Sequence, residues 1–302
     1  MGERWDCKKG TTSYEFWASL FADDCTVLFN SRAELINGTH HLFDHLRGFG
    51  LEMHVGRGTT ASKTEAMYCP KPRKLYEEEN TDRFQVDGDG FIDFTKEFKY
   101  LGSIINSSLT SDSDVDKRIK SATAIFGALS SCKFSKKDID LKVKGRIYVS
   151  LVLSVLLYGS ETWALRAKRL RSFHHRCVRT MCRITMAQTI RCKIKTSSLL
   201  ERLGIQTVET YYYSRLLRWA GHVARMNETR MPRKLITGWV EHPRPRGCPY
   251  MTWGRTLKKA LKCNQIDPDF AVWSKQAQNR GEWAAQINSI TDRTQAAPST
   301  KE

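Results

Sequence analysis

The spacing of apolar residues changes near residue 110. Before it they come in short runs broken by turn formers, the pattern of strands and hairpins, and after it they recur every three or four positions, the pattern of helix faces. Phe16, Trp17, Ala18, Leu20 and Phe21 run up to Asp23-Asp24, and Cys25, Val27, Leu28 and Phe29 continue from it. This fits two buried strands joined at a tight acidic turn, while residues 1–13 have no periodicity and read as an unstructured start. The spacing of Leu35, Ile36, Leu42, Phe43 and Leu46 predicts a helix capped by Ser31 and stopped at Gly48 or Gly50. A Gly/Thr/Ser loop at 56–62, a short strand at 64–68 and a charged, turn-rich excursion at 71–90 are expected next. Phe98, Tyr100, Leu101, Gly102, Ile104 and Ile105 predict a second strand pair with a bend.

The second half reads as helical. Val115, Ile119, Ala122, Phe126 and Leu129 form an apolar stripe behind a cap at Asp112 or Ser113. Further helices are expected over about 138–158, 164–184 and 207–226. Beyond Pro232, the residues Pro243, Pro245, Gly247 and Pro249 mark a linker, followed by a short helix near 253–261 and a polar tail whose last residues, 289–302, read as disordered. The fold class is α+β: a strand-rich part over 14–108, a helical part over 109–230, and a basic linker with short helices over 231–288.

Charge narrows the partner. A formal net charge of +17 and a pI of about 9.6 favour a polyanion, either nucleic acid or an anionic membrane surface. The strongest apolar run, 147–158, falls short of the roughly 20 residues needed to cross a bilayer, and Glu3, Trp5 and Asp6 do not make a signal peptide. A nucleic-acid partner, no membrane and an intracellular location are therefore expected. Nine scattered cysteines without a CxxC framework read as reduced thiols, mostly packing residues.

An isolated Asp-Asp pair is commonly a polar turn. Two carboxylates at the tip of an apolar hairpin repel each other, however, and Mg2+ is the natural neutraliser. Phe21-Ala22-Asp23-Asp24 resembles the aromatic-Ala-Asp-Asp box of reverse transcriptases. Similar motifs of that family follow in order: Gly50-Leu51-Glu52 with Ser62-Lys63-Thr64, and Phe98-Lys99-Tyr100-Leu101-Gly102-Ser103 at the place of the primer-grip hairpin. Further on, 157–163 (Leu-Tyr-Gly-Ser-Glu-Thr-Trp) and 218–226 (Arg-Trp-Ala-Gly-His-Val-Ala-Arg-Met) resemble the C-terminal region of non-LTR, LINE-type retrotransposon polymerases.

The resemblance implies a partial reverse-transcriptase palm followed by a helical thumb and C-terminal region. Asp23 and Asp24 would be residual catalytic Mg2+ ligands, and Lys63 would lie near the triphosphate of a dNTP. The RNA template and DNA primer would be the partners, and the nucleus the compartment. The family's upstream aspartate strand, fingers and nucleotide-selecting motif have no counterpart in the residues before the hairpin, so the chain is expected not to polymerise DNA alone.

Two basic helix faces add a second signal. Arg169, Arg176, Arg179 and Arg183 share one face, with Phe173, Cys177, Met181 and Ile184 on another. Arg215, Arg218, His222 and Arg225 share a second, beside Tyr212, Leu216, Trp219 and Val223. Such faces suit phosphate contacts, or else are merely solvated. Tyr211, Tyr212 and Tyr213 fit base stacking or core packing equally. The cluster His174, His175, Cys177, Cys182 and Cys192 has spacings that a continuous helix does not close into a tetrahedral zinc site. A basic, non-catalytic nucleic-acid-binding protein is the competing reading to a polymerase.

Overall fold

The structure, a computed structural model, describes residues 18–70, 81–164, 168–237 and 252–293. The chain divides into two compact units, with the boundary at Thr110/Ser111.

The first unit begins with the antiparallel hairpin β1 (Ala18–Phe21) and β2 (Asp24–Val27), paired from Ala18↔Val27 to Phe21↔Asp24. The helix α1 (Arg32–Gly48) is capped by Ser31, whose Oγ accepts from Glu34 N at 3.2 Å. It ends through Gly50 at φ 74, with Leu51 N donating to Leu46 O and Gly50 N to Arg47 O, a Schellman closure. A three-stranded sheet follows, in the order β3 (Glu65–Ala66), β5 (Gly90–Phe94), β4 (Phe84–Asp87). Val55, Ala66, Phe84, Val86 and Ile92 form its core, with Leu35, Ile36 and Phe43 of α1 packed against them. At about 1.5–3 kcal/mol for a fully buried large side chain, four such residues and one alanine make a thin core. The hairpin β6 (Glu97–Tyr100) and β7 (Ser103–Asn106) turns through Leu101 (φ 47) and Gly102 (φ 84), the two positive φ values of a type I′ turn.

Two expectations for this unit are corrected. The hairpin strands are not buried, since Leu20, Phe21 and Leu28 are 75%, 61% and 51% exposed; the pattern sets the pairing, but burial depends on a layer that must come from elsewhere. Residues 84–90 are also not an exposed excursion. They supply β4 and the turn into β5, because Phe84 and Val86 alternate inward ahead of a Gly88–Gly90 reversal. Residues 71–80 of that segment lie outside the described residues.

The second unit is helical. Helix α2 (Asp112–Leu129) runs into a π-helical turn, Ser130–Phe134. Asp140 caps α3 (Leu141–Ile147), accepting from Lys142 N at 2.8 Å and Val143 N at 3.3 Å; the rod continues through the π-helical Tyr148–Leu153 to α4 (Ser154–Leu156). Gly145 is needed there, since a Cβ would meet Leu203 O at 2.1 Å. Then come α5 (Lys168–Met181), α6 (Met186–Arg191), α7 (Thr196–Leu203), α8 (Val208–Ala224) and α9 (Met231–Thr237). The last helices are α10 (Trp253–Cys263), α11 (Phe270–Gln276) and α12 (Arg280–Arg293).

Helix α8 joins two apolar clusters. Its Val208 and Tyr212 belong to the core built by α2, the α3–α4 rod, α5 and α7, whereas Leu216, Leu217, Ala220 and Ala224 belong to the core built with α10, α11 and α12. After Pro232 the short helix expected near 253–261 is present as α10, and the segment expected as a polar tail adds two further helices. Phe270, Trp273, Ala277, Trp283 and Ile287 pack it onto α8, and residues 289–293, expected as disordered, are helical. The prolines and glycines at 243–249 and residues 294–302 lie outside the described residues, as do 1–17.

Candidate nucleic-acid interface

The acidic pair sits where the hairpin pattern puts it. Ala22 at the turn has φ 52, in the left-handed region that costs a non-glycine residue about 1–2 kcal/mol. Such outliers concentrate at functional sites, where surrounding structure holds them in place. Asp23 and Asp24 are both exposed, and no group of three or more His, Cys, Asp or Glu among the described residues is placed to hold a metal. Two adjacent, solvated carboxylates do not fit a two-metal centre, which needs further acidic ligands. Lys63 is exposed in a loop pinned by two side chains: Lys63 N donates to His54 Nδ1 at 3.1 Å, and the single Ser62 hydroxyl proton is shared between Thr64 O (2.6 Å) and His54 O (3.0 Å). Among the described residues it makes no ion pair with Asp23 or Asp24.

The segment 157–163 is a structural corner. Leu157 is buried, Gly159 turns the chain at φ 71, and Ser160 is buried. Trp163 Nε1 donates to Asp114 Oδ2 at 2.9 Å, and Trp163 O accepts from Tyr212 OH at 2.9 Å. Glu161 O accepts from Trp253 Nε1 at 2.8 Å. Arg118 stacks over Tyr158 at 4.4 Å while paired with Asp114 at 3.6 Å. One short motif thereby ties α2, α8 and α10 together. Tyr212 is buried and the Tyr211 hydroxyl accepts from Gln206 N at 3.1 Å, so these tyrosines serve the core.

A second polar knot lies inside the first helical core. His174 is fully buried, its Nδ1 2.9 Å from Tyr148 OH and its Nε2 3.1 Å from Gln206 O. The carbonyl can only accept, so Nε2 carries the proton and Nδ1 accepts from Tyr148. Both ring nitrogens are engaged, which leaves neither for zinc. Burial, with a smaller contribution from nearby His175, lowers the His174 pKa to about 4, against the opposing pull of the Gln206 carbonyl. Burial also pushes the Cys177 thiol up to about 12. Only Cys177 and Cys182 of the seven described cysteines are buried, so most are surface thiols rather than packing residues.

The two basic faces differ. On α5, Arg169 is neutralised by Asp112 (3.7 Å) and Asp116, and the neighbouring Arg171 pairs with Glu209 at 2.5 Å. Arg183 is off the helix: α5 ends at Met181, Arg183 has φ 58, and Ile184 N donates to Arg179 O while Arg183 N donates to Thr180 O, another Schellman closure. Its guanidinium donates to Ser135 O. Arg176 is exposed, 5.6 Å over the Phe173 ring, and Arg179 is half-buried. The predicted four-residue stripe is therefore not a continuous cationic face.

On α8, Arg215 is also structural, donating to Leu157 O (3.0 Å) and Glu161 Oε1 (3.4 Å). Arg218, His222 and Arg225 instead line an open cleft of about 460 Å³ with Arg280, Trp283 and Ala284 of α12. Arg218 donates to Asn288 Oδ1 at 2.9 Å and Arg225 to Ala277 O at 2.6 Å. Trp283 Nε1 donates to Leu217 O at 3.0 Å, and its ring lies where a Cβ on Gly221 would fall, 2.2 Å from Nε1. Sequence reasoning missed Arg280 and Trp283 by reading their segment as a polar tail, although Trp273 with Ala277 and Trp283 with Ile287 are each four residues apart, the spacing of a helix face.

The chain is 27% identical over 277 residues to a Caenorhabditis elegans protein named "Putative uncharacterized transposon-derived protein", an alignment covering 90% of this chain and 95% of the relative. The similarity supports a transposon-related origin. No protein-family model matches the chain, and no solved structure does. Among the described residues no helix is long and apolar enough to cross a membrane.

Proposed function

We propose that this chain derives from a non-LTR retroelement reverse transcriptase and now acts as a nucleic-acid-binding protein that does not polymerise DNA by itself. The observation that carries the reading is the contrast, among the described residues, between an acidic hairpin of palm-like sequence whose carboxylates are exposed and ungathered and a basic cleft on α8 without a carboxylate in its lining. The transposon-derived name of the relative agrees with the origin. The ordered motifs at 21–24, 50–64, 98–103, 157–163 and 218–226 supply the polymerase part of the reading. If Mg2+ binds at all, Asp23 and Asp24 would hold it; the phosphate chemistry of strand extension would need further ligands and a nucleotide pocket.

Primer extension on a primed RNA template with Mg2+ tests this, alongside RNA binding, for the wild-type chain and the Asp23→Asn, Asp24→Asn double variant. The expected result is salt-sensitive binding by both proteins and extension by neither. Extension that the double variant abolishes would make the chain an active polymerase. A chain that binds no RNA would end the nucleic-acid reading.

A further inference from the structure

We propose that the cleft between α8 and α12 clamps the phosphodiester backbone of a nucleic acid strand, which rests on the reading above and locates it. Arg218, His222, Arg225 and Arg280 converge on one open cavity, and among the described residues none of them pairs with a carboxylate. The chain has acidic partners to spend elsewhere, since Arg169, Arg171 and Arg215 are all paired. Three guanidiniums set around one cleft repel one another unless an anion enters, so their convergence, with His222 beside them as a further hydrogen-bonding group, points to an anionic ligand.

The donors are held in advance. Arg218 and Arg225 are each anchored by one hydrogen bond, to Asn288 and to the Ala277 carbonyl, and a guanidinium has five N–H donors, so each retains others for a phosphate. Preorganised donors lower the ordering cost of binding. The ligand's phosphates rather than its bases make the contact. Trp283 is 2% exposed with its Nε1 committed to Leu217, so it closes the cleft wall without offering a stacking face. Backbone contact of this kind is independent of sequence.

The test is binding of the full chain to two short single-stranded RNAs of unrelated sequence across a salt series, with inorganic pyrophosphate titrated separately. Arg280→Gln changes an exposed residue and should leave the fold intact; Arg218→Gln is added to it in a double variant. Lys259→Gln, an exposed site on α10, removes the same charge elsewhere. Arg280→Gln is expected to weaken both RNAs equally, by roughly 3- to 10-fold, and to reduce the salt slope by about 1. Lys259→Gln should stay within about twofold of wild type.

Equal losses at Lys259 and Arg280 would overturn the clamp, as would a loss confined to one RNA, or a double variant that binds like wild type; each would leave RNA binding itself standing. Pyrophosphate bound as tightly as RNA, and lost in Arg280→Gln, would make the cleft a small-anion site and also overturn the clamp. Wild-type protein that binds neither RNA would remove the clamp and the reading beneath it together.

Discussion

The acidic hairpin and the corner at 157–163 are equally recognisable as motifs, yet the structure treats them oppositely. The hairpin's Leu20 and Phe21 face solvent, and its carboxylates have no salt-bridge or side-chain hydrogen-bond partner among the described residues. Around the corner, Leu157, Ser160 and Trp163 are buried and their polar neighbours bind three other helices. A motif kept for chemistry needs exposed groups and tolerates a weak local fold, whereas a motif kept for architecture is recognised by how many elements depend on it. By this measure the region around 157–163 and most of 218–226 is architecture, and the remainder, Arg218, His222 and Arg225, lines the open cleft.

The largest effect should come from removing the corner. Trp163→Ala deletes a fully buried indole together with its bond to the buried Asp114 carboxylate, and should destabilise the helical unit by about 3–5 kcal/mol. Denaturant melts that shift by less than about 1 kcal/mol would show that 157–163 is no keystone.

The buried His174 gives the next largest effect. Its pKa is about 4 in the folded protein against an ordinary value of 6.5, so between those pH values the unfolded chain binds the extra proton and the folded one does not. Stability from this group is complete above about pH 6.5, falls as the pH drops toward 4, and levels off below. A tenfold change in proton affinity is worth about 1.4 kcal/mol, which makes the loss roughly 3 kcal/mol. Urea melts from pH 7 to pH 4 should show this decline in the wild type and a flatter curve in His174→Gln. Parallel curves would place the acid sensitivity elsewhere.

Gly221→Ala comes third. Its Cβ would meet the Trp283 indole, which is itself wedged under α8, so the ring must shift at a cost of about 1–3 kcal/mol. The same shift would disturb the cleft wall, so RNA affinity should fall together with stability. A neutral Gly221→Ala would mean that α12 can move aside freely.

Much of this was legible in the sequence because period and punctuation are local. The hairpin at 18–27, the Ser31 cap, the turn at Leu101-Gly102 and the span of α8 all follow from residues within a few positions of one another. Burial and charge pairing are not local. Nothing around Arg169 announces that Asp112 and Asp116, from a much earlier helix, neutralise it, and nothing around Leu20 tells whether a layer covers it. The strand Phe84–Asp87 was obscured by the charged stretch before it. After Pro232 the short helix expected near 253–261 is present as α10, whereas α11 and α12 were obscured by the polar composition of their segment. The cleft depended on both kinds of information: three of its residues came from a helix face, while Arg280 needed the packing of Trp273, Trp283 and Ile287 to be placed.

The smallest effects belong to the hairpin, and they separate a motif held under strain from an ordinary turn. Ala22 at φ 52 should gain from glycine, which has no Cβ to clash there, so Ala22→Gly is expected to relieve up to about 1 kcal/mol against the added chain entropy of glycine. Asp23→Asn and Asp24→Asn remove exposed charges with no side-chain partner among the described residues, and surface changes of that kind stay within about 0.5 kcal/mol. Hydrogen exchange at the β1 and β2 amides reads both. Slower exchange in Ala22→Gly and no change in the asparagine variants is the outcome expected of a strained turn carrying solvated carboxylates. Slower exchange in the asparagine variants would show that the two charges repel strongly enough to open the hairpin, and would restore the argument that a cation belongs between them.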